Sequence, residues 1–140
     1  MEITITKTED KEDIKHVNDQ LFYYNLAHFP KDLRDRYEQI NLVLKDEYGN
    51  VKGGILAAVC WNWLEIDTLI VDTELRKSGY GTKLLQEMEQ IALERSCDFI
   101  KVDTLSFQAL GFYEKHGYEV FGKIDGVGRD FSHYYLKKEL

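Results

Sequence analysis

The chemistry in this sequence concentrates where an apolar strand runs into a loop and then a helix. Residues 69–82 read Leu-Ile-Val-Asp-Thr-Glu-Leu-Arg-Lys-Ser-Gly-Tyr-Gly-Thr, so Gly79 and Gly81 fall where a helical pattern begins. The first N–H groups of a helix lack intrahelical partners and carry partial positive charge, and glycines let an anion approach the backbone closely. Arg76 and Lys77 add cationic donors to an otherwise acidic chain. The stretch is a candidate phosphate site. Upstream, two-residue periodicity places the carboxylates of Glu65 and Asp67 on one face with Leu69 and Val71. A carboxylate on an apolar strand is costly to bury unless paired, so these are either proton acceptors in a cleft or solvated residues at a strand end. His28, His116 and His133 titrate in a range suited to proton transfer, yet no spacing ties any of them to these groups.

Positioning such groups takes a strand, a loop and a helix in that order, and the hydrophobic periods supply them. Residues 81–96 form the clearest helix: Leu84, Leu85, Met88, Ile91 and Ala92 make one stripe, with Gln86, Glu87, Glu89, Gln90 and Glu94 outside it. Before it come strands at 40–46, 51–62 and 63–72. Tyr48-Gly49-Asn50 reads as a tight turn between the first two, and the third is so apolar after Asp67 that both its faces should be buried. Earlier still, Ile3 and Ile5 alternate with Thr4 and Thr6 as in a strand. Residues 8–13 then cap a helix with Ile14, Val17, Leu21 and Tyr24 on one face, which ends before Pro30, and residues 31–38 could form a second short helix. After the long helix follow a strand at 99–103, a helix at 107–115 ending at Gly117, and strands at 118–123 and 133–138. The order implies an α/β fold, largely antiparallel at its start, with a parallel crossover around the long helix.

Composition bounds the partners. At 140 residues with no linker-like tract, the chain reads as a single domain, 1–140. Leu, Ile, Val and Phe supply 41 residues, well above the level of disordered chains. A formal net charge of −7 argues against nucleic acid and against a polybasic membrane anchor. The longest apolar run, residues 55–61, is far short of the ~20 needed to cross a bilayer, and the start lacks signal-peptide features, so a cytoplasmic address is expected. Cys60 and Cys97 lie in apolar segments without metal-ligand spacing and read as buried free thiols; no metal site is expected.

Three phosphate ligands compete for the glycine loop. A nucleoside triphosphate loop needs Gly-Lys-Ser/Thr, whereas Gly81-Thr82-Lys83 inverts that order. A nicotinamide-dinucleotide fingerprint gains support from Asp103, placed where a ribose-binding acid would stand, but has Leu84 at its third glycine and too long a loop after Val71. The third pattern fits best: Arg76-Lys77-Ser78-Gly79-Tyr80-Gly81 resembles the Arg/Gln-x-x-Gly-x-Gly/Ala signature of the GNAT superfamily of N-acetyltransferases. Ala109-Leu-Gly-Phe-Tyr113-Glu-Lys-His-Gly117-Tyr118 resembles that family's second motif, and the element order matches the family fold along the chain.

The resemblance implies a GNAT fold, a mixed, mostly antiparallel sheet of six to seven strands flanked by about four helices. It implies an acetyl-CoA-dependent N-acetyltransferase, with a non-catalytic CoA- or metabolite-binding module as the alternative. Backbone groups of Leu69, Ile70 and Val71 would bond the pantetheine arm and cradle the oxyanion, while Arg76, Lys77, Ser78, Gly79, Tyr80, Gly81 and Thr82 would hold the pyrophosphate. Tyr113 matches the family tyrosine that protonates the departing thiolate; a core tyrosine is the plainer reading. Where many members carry an asparagine on the cofactor arm this chain has Ser106, so either Ser106 or nearby Gln108 would take that contact. Glu65 lies eleven residues before Arg76, where some members place their general base, and Asp67 is one pair closer to the site. In this family the acceptor is recognised by the first helices and closing strands, here carrying Tyr24, His28 and His133. Aromatic residues beside carboxylates would suit a cationic amine, small molecule or peptide. Members are often homodimers.

Overall fold

Alternating apolar residues across 37–71 fold into three consecutive antiparallel strands, β1 (Tyr37–Lys45), β2 (Val51–Cys60) and β3 (Trp63–Val71). The turn between β1 and β2 forms as its residues dictate: Gly49 takes φ 84, and Asp46 Oδ1 accepts the N–H groups of Tyr48 and Asn50, each at 2.9 Å. A 3₁₀ turn, Thr73–Leu75, leads to α2 (Tyr80–Glu94), which crosses back to β4 (Phe99–Leu105), parallel to β3. Then come α3 (Leu110–Lys115), β5 (Glu119–Val127) and β6 (Phe131–Glu139). The six strands form one sheet in the order β1-β2-β3-β4-β6-β5, antiparallel except at β3–β4.

Ile55, Ala57 and Val59 of β2, Leu64 and Ile66 of β3, Ile100 and Val102 of β4 and Leu136 of β6 share the sheet face that meets Leu84, Leu85, Met88 and Ala92 of α2. This is the helical stripe expected from the sequence, with Ile91 packed at its margin. Leu64, Leu85, Met88, Ile100 and Leu136 have no solvent exposure. Core packing of this density fixes where α2 starts and where β3 ends, and the site is built from those two ends.

The computed structural model describes residues 1–140. The chain divides into two compact units, Met1–Asp35 and Arg36–Leu140. In the first, α1 (Lys11–Leu26) is capped by Asp10, whose carboxylate accepts the Glu12 N–H at 2.8 Å, and it ends before Pro30 as expected. Two expected elements do not form, so the sheet has six strands and the helices number three. Residues 2–7 make no strand: Ile3 and Ile5 are exposed and no pairing reaches them, and alternation alone cannot hold a strand without a neighbour for its N–H and C=O groups. Residues 31–38 make no helix, because a short charged segment has no apolar face to bury; it forms a turn, with the Leu33 N–H on the Pro30 carbonyl, and enters β1 at Tyr37.

Candidate active site

The parallel pair β3–β4 is hydrogen-bonded only from Trp63–Phe99 to Ile66–Val102; beyond those residues the strands diverge. Residues 67–71 therefore keep their bonds to β2 but present an edge without a strand partner on the β4 side, open to a ligand except at the Val71 carbonyl, which accepts from Arg76. The expectation that β3 is buried on both faces after Asp67 fails for this reason: Ile70 is 58% exposed and Thr68 is open. The gap is a cleft of about 910 Å³. It is lined by Asp67, Leu69, Ile70 and Val71, by Asp103 and Thr104, by Arg76, Lys77, Gly79, Tyr80, Gly81 and Thr82, and by Phe107, Gln108, Phe112 and Tyr113.

A β-bulge sits at the branch point. Thr68 stands opposite Leu56 and Ile66 opposite Ala57, which leaves Asp67 with no partner across β2. An extra residue shifts the side-chain alternation by one. Leu69 and Val71 consequently join Leu64 and Ile66 against the core, and Glu65 does not share their face, contrary to strict periodicity. Asp67 is released into the cleft. Burial, and then the charges of Glu65 and Asp103, push its carboxyl above the ordinary range, which makes it a better proton acceptor near neutral pH than an ordinary aspartate. Glu65 lies outside the cleft lining, ion-paired to Lys101 at 3.1 Å.

The other end of the cleft is cationic. Lys77 and Gly79 take left-handed φ values of 65 and 84, turning the chain so that Gly79 caps α2 without any side-chain hydrogen bond. The first helical bond runs from the Lys83 N–H to the Gly79 carbonyl, so the N–H groups of Tyr80, Gly81 and Thr82 have no carbonyl one turn back. No acidic side chain stands in that first turn. Arg76 Nε donates to the Val71 carbonyl at 3.0 Å, tying the loop to the end of β3. At Gly81 a Cβ would lie 3.6 Å from the Phe112 ring, so α3 closes against the start of α2. Free helix N–H groups, two cations and an unpaired strand edge within one cleft fit a long ligand with an anionic phosphate end and an amide-bearing arm.

Tyr113 lines the same cleft and is otherwise buried. Burial, and then the charge of Asp103, push its phenol up to about 12, so it stays protonated at neutral pH and can only donate. Asp103, the first residue of β4 beyond its pairing with β3, faces the cleft with a built partner: His133 Nε2 lies 2.9 Å from its Oδ1, and the Tyr135 hydroxyl lies 3.1 Å from His133 Nδ1.

Several expected residues stand elsewhere. Ser78 is not among the cleft residues, and neither is Ser106, whose N–H and hydroxyl pair with the Ser132 backbone at 2.8 and 3.0 Å and fasten β4 to β6. Gln108 does reach the cleft, its carbonyl oxygen accepting the Leu105 N–H at 2.8 Å. His116 Nδ1 is 2.8 Å from the Phe112 carbonyl of its own helix. Tyr24 and His28 contact each other, ring centroids 4.9 Å apart, within the first unit. His133 enters through Asp103 rather than directly. As site residues, Phe107 and Phe112 go unrecognised in the sequence, and Asp103 is read there only as the ribose-binding acid of the dinucleotide alternative, although it ends an apolar strand parallel to the one that carries Asp67.

Comparison with known proteins places these features in a family. The model of the acetyltransferase (GNAT) family matches residues 5–118. An acetyltransferase of Agrobacterium fabrum is 30% identical over 141 residues, covering the whole of both chains. Blasticidin-S acetyltransferase of Streptomyces morookaense is 37% identical over 95 residues, 67% of this chain and 70% of its own. The crystal structure of an acetyltransferase from Bacillus cereus superposes with a TM-score of 0.91 at 32% identity, covering 98% of each chain.

Proposed function

Because the chain belongs to the GNAT acetyltransferase family and uses acetyl-CoA as its acetyl donor, we propose that acetyl passes to an acceptor amine at the fork between β3 and β4, with Asp67 as base and Tyr113 as proton donor. The divergence of the two strands immediately beyond Ile66 and Val102, opening onto the bare N-terminus of α2, carries this reading. Acetyl-CoA supplies the activated acyl group and a thiolate that can leave. Main-chain N–H groups of Tyr80, Gly81 and Thr82, with Arg76 and Lys77, hold its phosphates, and the free edge of Leu69, Ile70 and Val71 holds its arm and meets the carbonyl oxygen as charge grows there.

The acceptor nitrogen attacks as the free amine, its ammonium proton already lost to solvent, and Asp67 takes the second proton, which the nitrogen must lose as its bond to the acyl carbon forms. At the other side Tyr113 donates toward the sulfur as the carbon–sulfur bond breaks. With its phenol at about 12, Tyr113 is a weaker acid than a thiol of ~8.5. It therefore acts first as a hydrogen-bond donor to the developing thiolate, and hands over its proton only where burial raises the thiolate's own proton affinity. The net products are an amide and a free thiol: Asp67 releases its proton to solvent, and the thiolate, or Tyr113 where it has given up its proton, takes one from solvent. The GNAT model spans 5–118, across both compact units, which supports one acetyltransferase domain over 1–140.

Two carboxylates, Asp67 and Asp103, favour a cationic small amine or basic peptide as acceptor. No helix is long and apolar enough to cross a membrane, in keeping with a cytoplasmic enzyme. Release of free thiol from acetyl-CoA against a panel of polyamines, aminoglycosides, amino acids and basic peptides tests the reading. Thiol release matched one to one by acetylated amine is expected, and none with any amine would refute it.

A further inference from the structure

Beyond the branch point, β4 alternates in the ordinary way. Ile100, Val102 and Thr104 are buried, while Lys101 and Asp103 turn to the face opposite α2. Across β6, Asp103 stands opposite Tyr135, and Leu105 opposite His133. The carboxylate, the imidazole and the phenol thus form a chain along that face, with separations of 2.9 and 3.1 Å. A carboxylate can only accept, so Asp103 calls for an N–H on His133 Nε2, and the Tyr135 hydroxyl beside Nδ1 holds the ring in the plane that serves the carboxylate. The tyrosine ring is seated over Gly122 of β5, where a Cβ would come within 3.5 Å of it.

One oxygen of Asp103 is engaged by His133, which leaves the other for a ligand in the cleft. No lysine or arginine answers it; the one ion-pairing partner of Asp103 is His133, on the other oxygen. Lys101, next along the same face, is paired with Glu65 at 3.1 Å, and Lys137 with Glu139 at 2.9 Å. Asp67 lies close enough for the charge of Asp103 to act on it, and its own task is with the reacting nitrogen.

We propose that Asp103 determines acceptor specificity by binding a second, non-reacting positive charge of the acceptor, and that His133 and Tyr135 are positioning residues that hold its carboxylate for that purpose. The acceptor is thus a small molecule or peptide with two cationic groups a few bonds apart. The inference rests on the acetyl-transfer reading of the cleft and on Asp67 serving the reacting amine.

The test uses the full chain, acetyl-CoA and α,ω-diamines of increasing length, each with its monoamine of matched length. The best diamine is expected to exceed its monoamine by about tenfold or more in kcat/KM, the step expected for one well-placed ion pair. In Asp103→Asn that ratio falls to near one, the loss lying in the KM of the diamine rather than that of acetyl-CoA. His133→Gln, which can still donate an N–H, keeps more of the preference than His133→Ala, with Tyr135→Phe between them. Two results would overturn the proposal: no diamine preference in the wild type, or a diamine-to-monoamine ratio that survives Asp103→Asn, whatever the loss common to both amines. Asp103→Asn also removes a charge that acts on Asp67 and Tyr113, so its overall rate is expected to shift for both amines, and the readout is the diamine-to-monoamine ratio. Loss of turnover of both amines in Asp67→Asn, beside collapse of that ratio in Asp103→Asn, separates this inference from the reading beneath it.

Discussion

At the scale of single residues, three side chains at one branch point have environments that suit different tasks. Asp67 is raised by burial and by neighbouring charge, Tyr113 is raised to about 12 by burial and Asp103, and Asp103 is bonded to His133. Replacing Tyr113 by Phe removes the donor beside the leaving sulfur; kcat should fall about 10²-fold with little change in the KM for acetyl-CoA, as when one donor to a developing anion is lost. The same phenol also links stability to alkaline pH. Its folded pKa lies above the ordinary tyrosine value of 10, so between pH 10 and 12 the unfolded chain binds fewer protons than the native one and stability falls as pH rises. The loss amounts to about 2–3 kcal/mol across that window. Denaturant titrations at pH 9 and pH 12 should show a smaller drop in Tyr113→Phe than in the wild type. The remainder includes Tyr118, whose phenol burial and Glu89 also hold well above its usual value.

Among elements, the glycine-capped start of α2 governs the donor end of the site. Gly79 has open space around it but a φ of 84, so an alanine there would be strained by its backbone and not by a clash. Gly79→Ala should cost about 1–2 kcal/mol of stability. It should also raise the KM for acetyl-CoA more than it lowers kcat, which initial rates would resolve. This element was readable from sequence because its causes are local: the 3.6-residue stripe of Leu84, Leu85, Met88 and Ala92, and two glycines at its head. The bulge at Asp67 was not, since it depends on how β2 and β3 pair, and the fork depends on where β4, more than thirty residues later, stops pairing with β3. Strict alternation therefore set Glu65 and Asp67 as equals, whereas the bulge sends one into the cleft and leaves the other with Lys101. Similarly, Ile3 and Ile5 carried a strand pattern without a strand to pair with. His133 was named as an acceptor contact, but only the register of β6 brings it onto Asp103.

For the whole molecule, a net charge of −7 coexists with one end of a cleft built for anions and a branch point built from carboxylates. The sheet separates the two, holding Arg76 and Lys77 at the head of α2 and Asp67 and Asp103 at the fork. A ligand bound by the native state alone stabilises it by about 2.7 kcal/mol at a hundred times its Kd, so acetyl-CoA should raise the melting temperature by several degrees. NAD should raise it by none, because the loop lacks the dinucleotide fingerprint; thermal melts with each ligand give the comparison. If acetyl passes from thioester to amine at the fork, the most direct test is the pH profile of acetyl transfer, measured as thiol release with a good acceptor amine, in wild type and Asp67→Asn. Wild-type kcat/KM should rise with pH through an ionisation above the ordinary carboxylate range. In Asp67→Asn that ionisation should disappear and the rate at neutral pH should fall about 10²-fold or more, the scale of a lost general base. A profile and rate unchanged by Asp67→Asn would contradict catalysis at the fork by this carboxylate.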